Sequence, residues 1–146
     1  MRSLLDPPGP PSRHPVEVGS RTEAIVLAEF VKRGHKVLLP FGVNHRYDFV
    51  IDLGDRFVRA QCKTGRLRRG CVIFHARSIR SNTRGVLARS YLDEVDLFLV
   101  YCPQTDRVYS VPADETTTSD VALRVDPPGN GQAKRIRWAA DHELPA

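Results

Sequence analysis

Long apolar runs are missing from this 146-residue chain. The longest, Ala24 to Ala28 and Leu97 to Cys102, fall far short of the roughly 20 residues that cross a bilayer. The Met1 to Leu5 start has no signal-peptide core, so a cytoplasmic or nucleoid-associated protein is expected. Cysteine is scarce as well. Cys62, Cys71 and Cys102 form neither an even set nor a C-x-x-C pair, which argues against a disulfide framework and against a structural zinc. The five histidines show no H-x-x-x-H spacing. No Gly-x-Ser-x-Gly, P-loop or dinucleotide fingerprint is found, which disfavours ester hydrolases and nucleotide-dependent enzymes. What is present, 41% apolar residues at a mean hydropathy of −0.32, is the composition of a soluble chain with a core.

One absence is local and more telling. Between Arg56 and Arg89 there is no Asp or Glu, while nine arginines and Lys63 give the segment a charge of +10. The whole chain carries 22 basic and 17 acidic residues, so 12 basic residues face all 17 acids elsewhere, a balance of −5. Charge polarised in this way suits a polyanionic partner. The bland alternative is a set of arginines scattered over solvated faces.

Residues 1–16 are Pro-rich and short of apolar side chains, so they are expected to form a flexible arm. Ser20-Arg21-Thr22-Glu23 has capping-box spacing and predicts a helix from Ser20, with Ala24, Leu27, Ala28 and Val31 as its apolar stripe and Gly34 at its end. Short β-type runs follow at Lys36 to Leu39, Tyr47 to Leu53, Arg56 to Lys63, Cys71 to Ala76, Val95 to Tyr101 and Arg107 to Val111. Residues 78–94 read as a basic connector with a helical end. After Pro112 come a polar linker, a run at Val121 to Val125 and a turn-rich stretch, together expected as a C-terminal appendage. The fold class is α/β (α+β).

The sharpest feature is a hairpin. Two strands flank Gly54-Asp55, a pair suited to a two-residue turn. Pairing Leu53 with Arg56 sets Ile51 opposite Val58, Phe49 opposite Ala60 and Asp48 opposite Gln61. Phe49, Ile51, Leu53, Val58, Ala60 and Cys62 then share an apolar face, and Asp48, Asp52, Arg59, Gln61 and Lys63 lie on the other with Val50 and Phe57. Asp48, Gln61 and Lys63 converge at the end away from the turn. That trio suits a hard cation such as Mg²⁺, with the Asp48 carboxylate, the Gln61 amide oxygen and the Cys62 carbonyl as oxygen ligands. Lys63 beside them could position or deprotonate an attacking water and balance charge on a phosphate.

Asp48, twelve intervening residues and then Gln61-Cys62-Lys63, with Glu23 on a preceding helix, resembles the PD-(D/E)XK nuclease superfamily, and within it the group I intron homing endonucleases. Y-D-F-V-I-D, V-D-L-F-L-V-Y-C-P at 95–103, V-Y-S-V-P at 108–112, L-R-V, N-G-Q and I-R-W-A extend the likeness from Val18 to Leu144. The resemblance implies a restriction-endonuclease-like core over residues 17–112, a central mixed sheet flanked by helices, with 113–146 as a DNA-contacting or oligomerising appendage. It implies Mg²⁺-dependent hydrolysis of DNA phosphodiesters, with Mn²⁺ as a possible substitute, by a homodimer or homotetramer that presents two sites to a duplex. Asp48 matches the motif Asp, Gln61 the second metal-site position, Lys63 the motif Lys and Glu23 the helical acid. Tyr47 stands where the pattern has Pro, and Gln61 where most members have Asp or Glu, which removes one negative charge. Glu23 also has the plainer reading of a capping-box carboxylate, and Gln61 either ligates the metal or hydrogen-bonds its water.

If such a site faces a duplex, Arg66, Arg68 and Arg69, which follow the active-site strand, are candidates for flanking phosphates, and Arg59, Arg77, Arg80 and Arg84 are further DNA-binding candidates. Base reading would then fall to the 77–89 connector and to Arg124, Asn130, Gln132, Lys134, Arg135 and Arg137, although Asn130-Gly131 reads equally as a turn. A Holliday-junction-type resolvase acting on branched DNA, a catalytically inactive DNA-binding module and a protein-interaction domain are the other readings.

Overall fold

The computed structural model describes residues 3–7, 9–82, 85–90, 94–116 and 119–145. Helix α1 runs Pro15–Lys32. It starts upstream of the expected Ser20 because Pro15 enters at the first turn, where its missing N–H costs nothing, behind an extended His14. No capping box forms, since Ser20 lies inside the helix and the N-terminus makes no side-chain cap. The buried positions are Thr22, Val26 and Phe30, whereas Ala24, Ala28 and Val31 of the expected stripe are exposed. The run from Ala24 to Ala28 is apolar all round, so periodicity did not choose a face; the bulk of Val26 and Phe30 did. Gly34 ends the helix as expected, at φ +86°. Its N–H donates to the Val31 carbonyl and that of His35 to the Phe30 carbonyl, a Schellman closure.

Among the described residues ten strands follow: β1 Lys36–Leu38, β2 Phe49–Asp52, β3 Phe57–Thr64, β4 Arg66–Arg68, β5 Cys71–His75, β6 Arg77–Asn82, β7 Gly85–Ser90, β8 Leu97–Cys102, β9 Arg107–Pro112 and β10 Asp120–Arg124. The central sheet has the order β1-β2-β3-β8-β9. It is mixed, because β3 and β8 are parallel while its other pairs are antiparallel. The β2–β3 register sets Phe49 opposite Ala60 and Ile51 opposite Val58, as the alternation of the sequence required.

One face of this sheet takes α1, where Val26 and Phe30 pack on Phe49, Ile51, Ala60, Leu99 and Val108. Each of the larger side chains removed from water, Ala60 apart, stabilises the fold by about 1.5–3 kcal/mol. The other face, expected under a helix, is covered by a three-stranded sheet of order β10-β5-β4, with Val72, Phe74, Val121 and Leu123 against Phe98, Val100, Tyr109 and Val111. Among the described residues α1 is the only α-helix. The segment beyond Pro112, expected as an appendage, therefore contributes β10 with its buried Val121 and Leu123 to the shared core. The basic connector at 78–94 has no helical end among its described residues. Its backbone pairs β6 with β7 antiparallel, and Asn82 and Gly85, read as loop residues, are partners at the end of that pairing.

Gly65 joins the two sheets. A Cβ there would lie 2.7 Å from Val72 Cγ1 and 2.9 Å from Val100 Cγ1, so only glycine lets β3 hand over to β4 at this closeness.

Candidate active site

Asp48 sits just before β2 and is tied to β3 twice. Its N–H donates to the Ala60 carbonyl at 2.8 Å, and its Oδ2 accepts the Cys62 N–H at 2.7 Å. The hairpin register thereby brings the Asp48 carboxylate to the Gln61-Cys62-Lys63 stretch of the chain. The Gln61 side-chain amide donates to the Cys62 carbonyl at 3.4 Å. Lys63, paired with Val100 of β8, extends its ammonium to within 3.4 Å of the Arg77 carbonyl and 6.0 Å of the Phe98 ring centre.

Glu23 reaches this neighbourhood from α1. With the capping box absent, its carboxylate is not tied up at the helix start. The Thr22 and Thr64 hydroxyls share a hydrogen bond of 2.6 Å, which fastens α1 to β3 one residue before Glu23 and one after Lys63. Neither threonine was a candidate in the sequence, because a buried hydroxyl pair leaves no spacing signature. Arg46 was also missed. It is ion-paired with Glu94 and half-buried, and its charge is felt at Lys63.

The electrostatics follow from partial burial. Desolvation raises the Asp48 carboxyl above the ordinary range, opposed by the Cys62 N–H and by Lys63. Glu23 is raised by desolvation and then by the Asp48 charge, so the two carboxylates sense each other. Burial lowers Lys63 to about 8 against the pull of Asp48, and Arg46 adds to the lowering. The Cys62 thiol is pushed well up by burial and by the Asp48 and Glu23 charges, so it stays protonated and offers its backbone carbonyl rather than a thiolate.

No three of His, Cys, Asp and Glu gather in metal-holding geometry among the described residues. A divalent cation here would rest on Asp48, Glu23 and the neutral oxygens of Gln61 and Cys62. Two half-buried carboxylates of raised proton affinity, with carbonyl oxygens beside them, fit a hard oxygen-seeking ion and not a soft one.

The candidate DNA contacts divide. Arg66 and Arg68 are exposed on the outer face of β4, on either side of inward-packed Leu67. The register continues that face through Cys71 and Ile73 to Ala122 and Arg124. Arg69 and Gly70 turn β4 into β5, both with positive φ, and the Arg69 carbonyl accepts from the Arg124 guanidinium at 3.2 Å. Arg77 is exposed. Arg59 is engaged: its guanidinium grips both Asp96 carboxylate oxygens at 3.0 and 3.1 Å, which holds Asp96 below the ordinary range. Gln132, Arg135, Arg137 and Arg124 line a small groove over Cys71, while the Arg137 guanidinium donates to the Glu115 carbonyl at 2.5 Å. Asn130 accepts from the Gln132 N–H at 3.1 Å and Gln132 donates to the Lys134 carbonyl at 3.1 Å, so both side chains brace their own loop. Lys134 and Arg135 are exposed. Arg80 is placed only by its strand pairing with Leu87, and Arg84 lies outside the described residues.

This fold has a counterpart among solved structures. A bacterial homing endonuclease, I-Ssp6803I, superposes with a TM-score of 0.69 at 22% identity, over 86% of this chain and 85% of that one. Residues 13–145 match the family described as PD-(D/E)XK endonuclease, and the chain belongs to that family. No curated protein sequence matches the chain.

Proposed function

We propose that the chain is a Mg²⁺-dependent endonuclease that hydrolyses DNA phosphodiesters through Asp48, Glu23, Gln61 and Lys63. The observation that carries this reading is geometric: the Asp48 carboxylate accepts the Cys62 N–H at 2.7 Å, next in sequence to Gln61 and Lys63, and shares one cleft with Glu23 of α1. Asp48, Glu23, the Gln61 amide and the Cys62 carbonyl would hold the cation, with Mn²⁺ as a substitute. When bound, the ion supplies Lewis-acid polarisation of the phosphate and a more acidic water. Lys63, near its midpoint at mildly alkaline pH, takes a proton from the attacking water or, when charged, offsets the phosphate's negative charge. Arg66, Arg68, Arg69, Arg77 and Arg124 hold flanking phosphates without reading sequence. A homodimer or homotetramer would present two such sites to the two strands of a duplex.

Cleavage of supercoiled plasmid tests the reading. Nicking that requires Mg²⁺ and disappears in Lys63→Ala and Asp48→Ala proteins is expected; unchanged cleavage by either variant removes that residue from the chemistry. A four-way junction compared with linear duplexes separates a resolvase from a homing-type enzyme. Gln61 in place of an acid favours one alternative, a DNA-binding module without catalysis. Salt-dependent binding with no nicking in Mg²⁺ or Mn²⁺ would establish that instead.

A further inference from the structure

The loop between β1 and β2 exposes apolar side chains that the core does not use. Leu39 is 62% exposed, Val43 82% and Phe41 fully, at 100%. A free apolar surface of this kind is unfavourable in water unless something covers it. The loop is also shaped rather than trailing. Pro40 fixes one φ, Gly42 (φ +92°) and Asn44 (φ 64°) take left-handed conformations, and the His45 imidazole Nε2 lies 2.5 Å from the Phe41 carbonyl oxygen. Its position is the decisive fact. Leu39, Pro40, Gly42, Val43, His45 and Tyr47 line one cleft together with Glu23 and Asp48.

Phe41 does not line that cleft itself but stands between Pro40 and Gly42, which do, so whatever covers its ring sits beside the carboxylate site. A second copy of the chain seated there would obstruct that site, whereas a nucleic-acid strand whose phosphate enters the cleft would bring its bases to the loop. We propose that residues 39–43 form a wedge, with the Phe41 ring stacking against a base or entering a base step beside the phosphodiester to be cut. Aromatic rings stack on any base, and apolar side chains at the mouth of a groove unstack and kink a duplex. The inference rests on the nuclease reading and adds a residue that grips bases, where the arginines grip phosphates.

The full-length chain is titrated with a random-sequence duplex in Ca²⁺, using wild type, Phe41→Ala and Phe41→Trp. Stacking predicts that the indole introduced by Phe41→Trp is quenched on DNA binding beyond the change of the native Trp138, and that Phe41→Ala weakens binding by about tenfold. Thermal melting of both variants stays at the wild-type value, since a fully exposed ring supports no core. Tight binding by all three proteins without added quenching overturns the wedge and leaves the nuclease reading intact. A lower sedimenting mass for DNA-free Phe41→Ala than for wild type also overturns it, by assigning the loop to a second copy. Failure of wild type to bind DNA at low salt overturns both.

Discussion

Two charged regions of the molecule use their side chains in opposite ways. Glu23, Asp48 and Lys63 are drawn half into the protein, and each has its proton affinity moved by desolvation. Arg66, Arg68 and Arg69 are held out on the second sheet and its turn, in water. Partial burial makes charge chemically adjustable, because neighbours act through a low dielectric. Exposure leaves charge fixed and screened, fit to attract a polyanion and to release it as salt rises. On the proposed reading, chemistry and affinity fall to different parts of the molecule, and variants in the two regions should fail differently.

The largest separation is expected from Lys63→Ala. Its cleavage rate should fall by about 10²–10⁴-fold, the usual contribution of a placed proton-transfer group, while duplex binding measured in Ca²⁺ stays near wild type. A parallel loss of binding would break the division. Gly65→Ala attacks the joint between the regions. The added methyl has no room between Val72 and Val100, so a loss of about 1–3 kcal/mol in denaturant unfolding is expected. Arg66→Ala with Arg68→Ala should leave the single-turnover rate at saturating DNA unchanged and weaken binding. The slope of log affinity against log salt should become shallower by about 0.9 for each phosphate that is no longer neutralised.

The same division explains what the sequence disclosed. The β2–β3 hairpin was legible because the alternation on both strands, broken at Val50 and Phe57, still favours one register, and that register brings Asp48 to Cys62 and Lys63. The mixed central sheet was implied by the family resemblance, and short β-type runs marked the strands that fill it. The basic stretch after Gly65 was less legible. β4 is only Arg-Leu-Arg, with a single apolar residue to mark it, and its burial depends on β5 and β10, the latter far along the chain. The β6–β7 pair mixes serine and arginine with its apolar residues and so carries no clean period. Helix α1 misled for another reason: an apolar run without a polar side leaves the buried face to be chosen by partners. Arg59, counted with the DNA-binding arginines, is held by Asp96, a pairing across 37 residues that no local pattern announces.

Charge inside the site also sets a pH dependence. Asp48 and Glu23 have folded pKa values above their unfolded ones, so the stability they contribute is fully present below the ordinary carboxylate range, about pH 4, and is lost as pH rises through the raised values. At neutral pH without metal they therefore weaken the fold. Asp48→Asn should melt higher than wild type at neutral pH and lose that advantage near pH 4. It should also lose the Ca²⁺-induced stabilisation seen as a rise in melting temperature, a free energy of about 2.7 kcal/mol when the ion is at 100 times its dissociation constant. A variant that still gains stability from Ca²⁺ would place the cation elsewhere.

The smallest expected effect tests how α1 serves the site. Thr22→Val keeps the volume of the side chain and removes the hydroxyl that meets Thr64 at 2.6 Å, which should cost about 1 kcal/mol of stability. If that bond acts only on the fold, its loss and that of Glu23→Gln should add in cleavage rate. If it acts as a positioning bond that aims Glu23, Thr22→Val should slow wild type several-fold and do nothing further once Glu23→Gln is present. A four-protein cycle measures the difference, and Thr22→Ser, which restores a hydroxyl, should recover most of the rate. Non-additivity is the expected result, because the Thr22–Thr64 bond joins α1 to β3 one residue from Glu23 and one from Lys63.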